Sequence, residues 1–227
     1  MADLLKQIVT PWYTPTPNEN LDKTLSLLMF AFLVFVLLFN LGIGGELTQF
    51  MTTNINAIIL LVLLGFSISQ MNARPQTYAS FGLSQKAYIG IILGVIIGVV
   101  AASRGASILV PTSVISSSSI IGAIFVALCV PFVEEKFFGR NIPFMLNNTF
   151  KNPILVIILT SGIFALFHFV AYRANTGFII AGFIFRVICL VGNGVFQTST
   201  FGDGLHYANN IMAVALCLNQ PGLPLCQ

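Results

Sequence analysis

The chain has 227 residues, 56% of them hydrophobic and only 7% charged, with a net charge of +3 and a mean hydropathy of +0.93. An ordinary soluble domain carries about 25% charged residues, so a soluble globular protein is excluded, and the small, scattered positive charge excludes nucleic acid as a partner. Continuously apolar runs of about 20 residues fit spanning helices, whereas the strands of a membrane β-barrel would alternate with period two. The fold class expected is all-α: a polytopic transmembrane helix bundle of about seven spans, within a range of six to eight.

Residues 1–23 form a polar, interfacial segment in which Pro11, Pro15 and Pro17 break any helix and Trp12 and Tyr13 suit a headgroup-level anchor. No basic region followed by an apolar core opens the chain, so no cleaved leader is expected. Residues 24–220 read as one transmembrane domain and 221–227 as a short tail. The first two spans are expected over about 24–43 and 54–69, joined to the third by a polar stretch holding Arg74 and Lys86. The third, about 87–103, places Gly90, Gly94 and Gly98 four apart, a stripe that lets a second helix approach closely.

A fourth helix is expected to begin after Pro111 and to end near Glu134-Glu135, with Lys136, Arg140 and Lys151 in or beside the following connection. Asn147-Asn148-Thr149 formally matches a glycosylation acceptor. The fifth span is expected from Pro153 to about Tyr172, the sixth over about 177–191 with Arg186 inside it, and a glycine-rich turn follows from Gly192 to Gly204. The last helix then runs to Asn219 with Asp203 as its N-cap. Arg74, Lys86, Lys136, Arg140 and Lys151 fall on one side of this topology and Arg104 and Arg173 on the other. That asymmetry predicts a cytoplasmic N-terminus and puts the diglutamate on the cytoplasmic side. Cys129, Cys189, Cys217 and Cys226 show no metal-ligand spacing, and those in apolar runs read as small hydrophobes.

Ionisable residues within apolar runs are costly, so each is a candidate for function. Glu134 and Glu135 are adjacent, and the chain has only two histidines, His168 and His206. Phe164 lies one helical turn before His168, and Asn210 one turn after His206. With Asp203 as N-cap, His206 would sit in the first turn, where the helix dipole favours developing negative charge, and Asn210 would be a second donor. Glu134, His168 and His206 together are also a recognised zinc ligand set, so zinc stays open beside a metal-free reading that needs no cofactor.

In order along the chain, Glu134-Glu135 with Arg140, Phe164 with His168, and His206 with Asn210 resemble the three motifs of the CPBP family. These are the intramembrane CaaX-prenyl endopeptidases and the bacteriocin-processing and abortive-infection-type proteins. Phe81-Gly82-Leu83 resembles a further short motif upstream, and the likeness covers roughly residues 75–215. One feature departs from the pattern. The arginine stands at Arg140, one position beyond the usual place, which Gly139 occupies; on a continuous helix that rotates it by about 100°, and Gly139 offers a place for the turn to unwind.

The resemblance implies an intramembrane endopeptidase with Glu134 as the general base and His168 helping to hold the water. His206 and Asn210 would form the oxyanion hole, and Glu135 would be a partner whose charge is balanced by Arg140 or shared as a proton. Its substrate would be a peptide or protein, lipidated in some members, with membrane lipids around it and a membrane protein partner left open. The alternative is a catalytically inactive CPBP-like protein serving as an immunity, scaffold or assembly subunit. A small transporter using the Glu/His cluster as a proton relay is a weaker rival, since the chain has no internal repeat.

Overall fold

A computed structural model describes residues 85–101, 125–168, 176–196 and 199–219, together with position 31. The expectations for the first two spans, Phe81-Gly82-Leu83, the start of the fourth helix, the basic residues at 74, 104 and 173, and the tail all lie outside the described residues. So does Cys226.

Every described element is helical. We label them α1 (Gln85–Ala101), α2 (residues 125–150), α3 (Pro153–Phe167), α4 (Thr176–Phe196) and α5 (Thr200–Asn219). Helix α4, of 21 residues, is long and apolar enough to cross a membrane, while α1 and α3 are shorter apolar helices. The described helices bury ionisable and amide side chains beside an apolar core and expose large apolar side chains outward. Glu134, Glu135, His168, Arg186, Asn193 and His206 are buried, while Ile92, Ile96, Ile154, Ile158, Ile180 and Ile184 are exposed. A water-soluble core shows the reverse, and this pattern suits lipid as the surrounding solvent.

Helix α2 does not stop at the glutamates. It runs on to Phe150, and the connection to α3 is two residues long. The expected loop misreads its polar residues. Glu135, Asn141 and Asn147 point inward at 1% exposure each, interleaved with buried Phe137, Phe138, Ile142 and Phe144. Asn147 is thus buried in a helix and is no glycosylation acceptor. Two π-turns, Phe125–Cys129 and Phe137–Asn141, each end two residues before a proline, Pro131 and Pro143. Proline removes a backbone donor and crowds the preceding turn, and a wider turn upstream relieves both.

The two-residue turn is chemically well defined. Lys151 adopts a left-handed conformation (φ 50°), and its N–H bonds to Asn147 O at 2.9 Å. Asn152 then caps α3, its Oδ1 accepting from the N–H groups of Ile154 (3.1 Å) and Leu155 (3.2 Å), with Pro153 as the first helical residue. Helix α3 ends at Phe167, so His168 is its C-cap rather than an interior residue of a longer span.

The glycine-rich segment is shorter than expected as a turn. Helix α4 continues through Gly192 and Gly194 to Phe196, and Phe201 packs where a side chain on Gly192 would stand. Helix α5 accordingly starts at Thr200, so Asp203 lies within its first turn instead of capping it. The stripe on α1 does pack as a close seam. Ala87, Gly90, Gly94 and Gly98 are its buried residues, and a Cβ on Gly98 would come within 2.8 Å of Leu205 O. Across the seam a Cβ on Gly204 would be 2.5 Å from Ile91 O, and Thr200 Oγ1 donates to Ala87 O at 2.8 Å. Cys189 is buried beside Phe201 and Leu205, whereas Cys129 is exposed.

Candidate active site

The site lies where α2, α3, α4 and α5 meet. Adjacent helical residues diverge by about 100°, so Glu134 and Glu135 leave α2 toward different partners. Glu134 faces the two histidines: His168 Nε2 is 3.2 Å from Oε1 and His206 Nε2 is 3.4 Å from Oε2. Glu135 faces α4 and α5. Arg186 donates to it through both guanidinium arms, Nη1 to Oε1 at 2.5 Å and Nη2 to Oε2 at 3.1 Å, and His206 Nδ1 lies 2.8 Å from Oε1. All five of these residues are at most 6% exposed.

The partners constrain where protons sit. His168 Nδ1 is 2.7 Å from Phe164 O, a carbonyl that can only accept, so Nδ1 carries a hydrogen and Nε2 is the atom left for Glu134. His206 Nδ1 likewise donates to Glu135, whose carboxylate is already an acceptor for Arg186, and again Nε2 turns to Glu134. Glu134 is therefore bracketed by two Nε2 atoms. A hydrogen bond to either one needs a proton on the carboxyl or on the imidazole. That is an arrangement for moving a proton.

Aromatic rings wall the cluster. Phe164 lies 4.3 Å from His168 and 6.3 Å from His206 between ring centroids, and Phe185 stands 5.4 Å from His206 in an edge-to-face contact. Phe138 packs edge-to-face on Phe164 and Phe167, at 5.1 and 5.2 Å. Asn210 follows His206 by one turn of α5 at 1% exposure, and its Oδ1 accepts from Asn209 Nδ2 at 3.2 Å, which fixes the NH2 as its other end. His206 sits in the second turn of α5 rather than the first. The dipole effect fades within the first turn, and the charged group that His206 meets directly is Glu135, 2.8 Å from Nδ1.

The expected partnership of Glu135 with Arg140 is corrected. Arg140 reaches the start of α5 instead, donating to Ser199 Oγ and lying 3.4 Å from Asp203 Oδ2, while Ser199 Oγ donates to Asp203 at 3.3 Å. Its place at Glu135 is taken by Arg186. Sequence reasoning named Arg186 only as a resident of the sixth span. The signal was available, since it is the one charged residue within the apolar run of α4. Asn193, one further position missed, accepts from Gly202 N at 2.7 Å and ties α4 to α5 beside the same carboxylate.

His168 Nε2 hydrogen-bonds Glu134 Oε1 and His206 Nε2 lies 3.4 Å from Oε2, and among the described residues no group of three His, Cys, Asp or Glu side chains could hold a metal ion.

Residues 116–212 match a family model described as Rce1-like: type II CAAX prenyl endopeptidase Rce1-like. No curated protein and no solved structure compared with the chain matches it. The matched stretch contains all five candidate catalytic residues together with Arg140, Phe164 and Arg186, and the three motifs stand within it in family order. Over this stretch the chain is similar to the Rce1-like endopeptidases, in agreement with the resemblance to the CPBP family carried by its three motifs.

Proposed function

We propose that the protein is an intramembrane endopeptidase in which Glu134 activates a water for attack on a peptide bond. The observation that carries the reading is the position of Glu134 between His168 Nε2 and His206 Nε2 in a buried, aromatic-walled cluster. Glu134 takes a proton from a water that His168 helps to hold, and the hydroxide formed adds to the carbonyl carbon. His206, anchored through Nδ1 on Glu135, donates from Nε2 to the developing oxyanion. The NH2 of Asn210, one turn away, is the second donor. The proton held by Glu134 then passes to the leaving amine nitrogen as the C–N bond breaks, which returns the carboxylate. This balances without an external reactant, and general-base and oxyanion contributions are each worth roughly 10²–10⁴-fold and 10²–10³-fold.

The substrate class proposed is a peptide or protein segment at the membrane, with a prenylated C-terminal region suggested by the family description. A multi-pass topology of about seven spans, an N-terminus in the cytoplasm and a site open to the cytoplasmic side complete the proposal. The experiment is cleavage of a farnesylated peptide ending in a CaaX-type tetrapeptide by the full chain in proteoliposomes. Turnover by the wild type that disappears in E134Q and H206Q supports the reading; turnover unaffected by both changes defeats it. The displaced arginine favours a second reading, an inactive scaffold or immunity subunit. That reading predicts no turnover in the wild type and intact biological activity when Glu134, His168, His206 and Asn210 are all replaced.

A further inference from the structure

We infer that Arg186 is the positioning arginine of this site, acting from α4 on Glu135, and that Gly139 is the vacancy in α2 that admits it. The inference rests on the endopeptidase reading for its kinetic consequence but not for its geometry. Arg186 is fully buried and grips both oxygens of Glu135, at 2.5 and 3.1 Å. Its guanidinium also lies over the Phe164 ring, 5.5 Å from the centroid, on a residue that touches His168 as well. A planar fork seated on a carboxylate and an aromatic face has one orientation, which a flexible ammonium would not enforce.

The orientation travels one residue further. Glu135 Oε1, fixed by Nη1, is also the acceptor for His206 Nδ1 at 2.8 Å. Holding that oxygen holds the imidazole tautomer, and so holds Nε2 toward Glu134 at 3.4 Å. Arg186 touches neither Glu134 nor any atom that would react, so it is a positioning residue. Gly139 completes the arrangement. A Cβ there would lie 2.7 Å from Arg186 Nη2 and 2.7 Å from Glu135 Oε2, inside the space that the ion pair fills. The helix that carries the glutamates thus has no side chain where the guanidinium enters. Arg140, next along the π-turn, is directed to Ser199 and Asp203 instead.

The chain has two histidines, so histidine-selective ¹⁵N labelling of the full protein in detergent gives two pairs of ring signals, assigned with H168Q and H206Q. In R186Q the His206 pair is expected to move and the His168 pair to move less, while kcat for the farnesylated peptide falls about ten- to a hundredfold and KM stays within about twofold. R186K keeps the charge, loses the fork and decides the matter if R186Q does not fold; its His206 signals should shift in the same direction. G139A should displace the same signals, because its Cβ enters the ion pair. His206 signals and kcat unchanged in both Arg186 variants would overturn the assignment, and G139A signals at their wild-type positions would overturn the role given to Gly139. Cleavage that survives E134Q would defeat the endopeptidase reading alone, with the His206 signals still deciding on Arg186.

Discussion

Glu134 and Glu135 are neighbours on one helix and both are buried, yet their surroundings differ in kind. Glu135 is saturated: a guanidinium binds both its oxygens and His206 adds a third bond. Glu134 meets two imidazole nitrogens, one on each oxygen, and each of those nitrogens can hold or release a proton. A buried charge is tolerable when matched by a charge in good geometry and is then hard to move. A carboxylate facing only imidazoles keeps its proton mobile. On the endopeptidase reading, the comparison separates a carboxylate held in an ion pair from one that exchanges a proton, and the helix does it with a single step of rotation.

The largest effect expected from this contrast is on rate. E134Q removes the base and leaves the shape, so turnover of a farnesylated peptide should fall about 10³-fold or more while the thermal midpoint stays near the wild type. On the metal-free mechanism proposed above, a chelator in the same assay should leave the wild-type rate unchanged. Retained turnover in E134Q would erase the distinction between the two carboxylates.

E135A should act on the other axis. It leaves Arg186 buried with its guanidinium unpaired, and breaking a buried pair in this way costs about 3–5 kcal/mol. Denaturation of the purified protein in mixed micelles is expected to show that loss, together with lower turnover because His206 loses its anchor. Stability within about 1 kcal/mol of wild type would mean that Arg186 finds another acceptor, and the pair is not the keystone of this part of the bundle.

How much of this was legible before the structure depends on the kind of signal. Glu134, His168, His206 and Asn210 could be found because ionisable and amide side chains are conspicuous in apolar sequence and fall at one-turn spacings. Arg186 was equally conspicuous but carried no local companion; its partner is 51 positions earlier, and nothing in a linear spacing links the two. The continuation of α2 past the glutamates was misread because polarity was taken as exposure. Asn141 and Asn147 are polar and buried, and a membrane protein inverts the usual inference. Gly192 and Gly194 were read as a turn for a similar reason: a glycine marks either a break or a close approach, and here Phe201 makes it the second. The stripe Gly90, Gly94, Gly98 was read correctly because its four-residue period has a single structural meaning.

That seam offers a smaller effect, on packing alone. Gly98→Val would drive a branched side chain toward Leu205 O and Ala208 Cβ, which already lie within 2.8 and 2.7 Å of a simple Cβ. Overpacking of this kind costs about 1–3 kcal/mol. Since α5 carries His206 and Asn210, some loss of turnover should accompany the loss of stability. The two should fall together in G98V, unlike E134Q, where rate falls alone.

The smallest effect expected belongs to Arg140, and it sharpens the comparison most. By motif position Arg140 is the companion of the glutamates, so its removal ought to rival that of Arg186. By geometry it joins Ser199 and Asp203, side chains that are part-buried at the start of α5. Arg140 and Asp203 retain 10% and 19% side-chain exposure, so water still screens the pair, and its loss should cost about 1 kcal/mol. R140Q is therefore expected to lower stability slightly and turnover less than about fivefold, with the His206 ring signals in place. The ranking R186Q well below R140Q in turnover would establish that the arginine at Glu135 comes from α4 and not from the helix that carries the glutamates. Equal losses would return Arg140 to the role its sequence position suggests, acting through a rearranged π-turn.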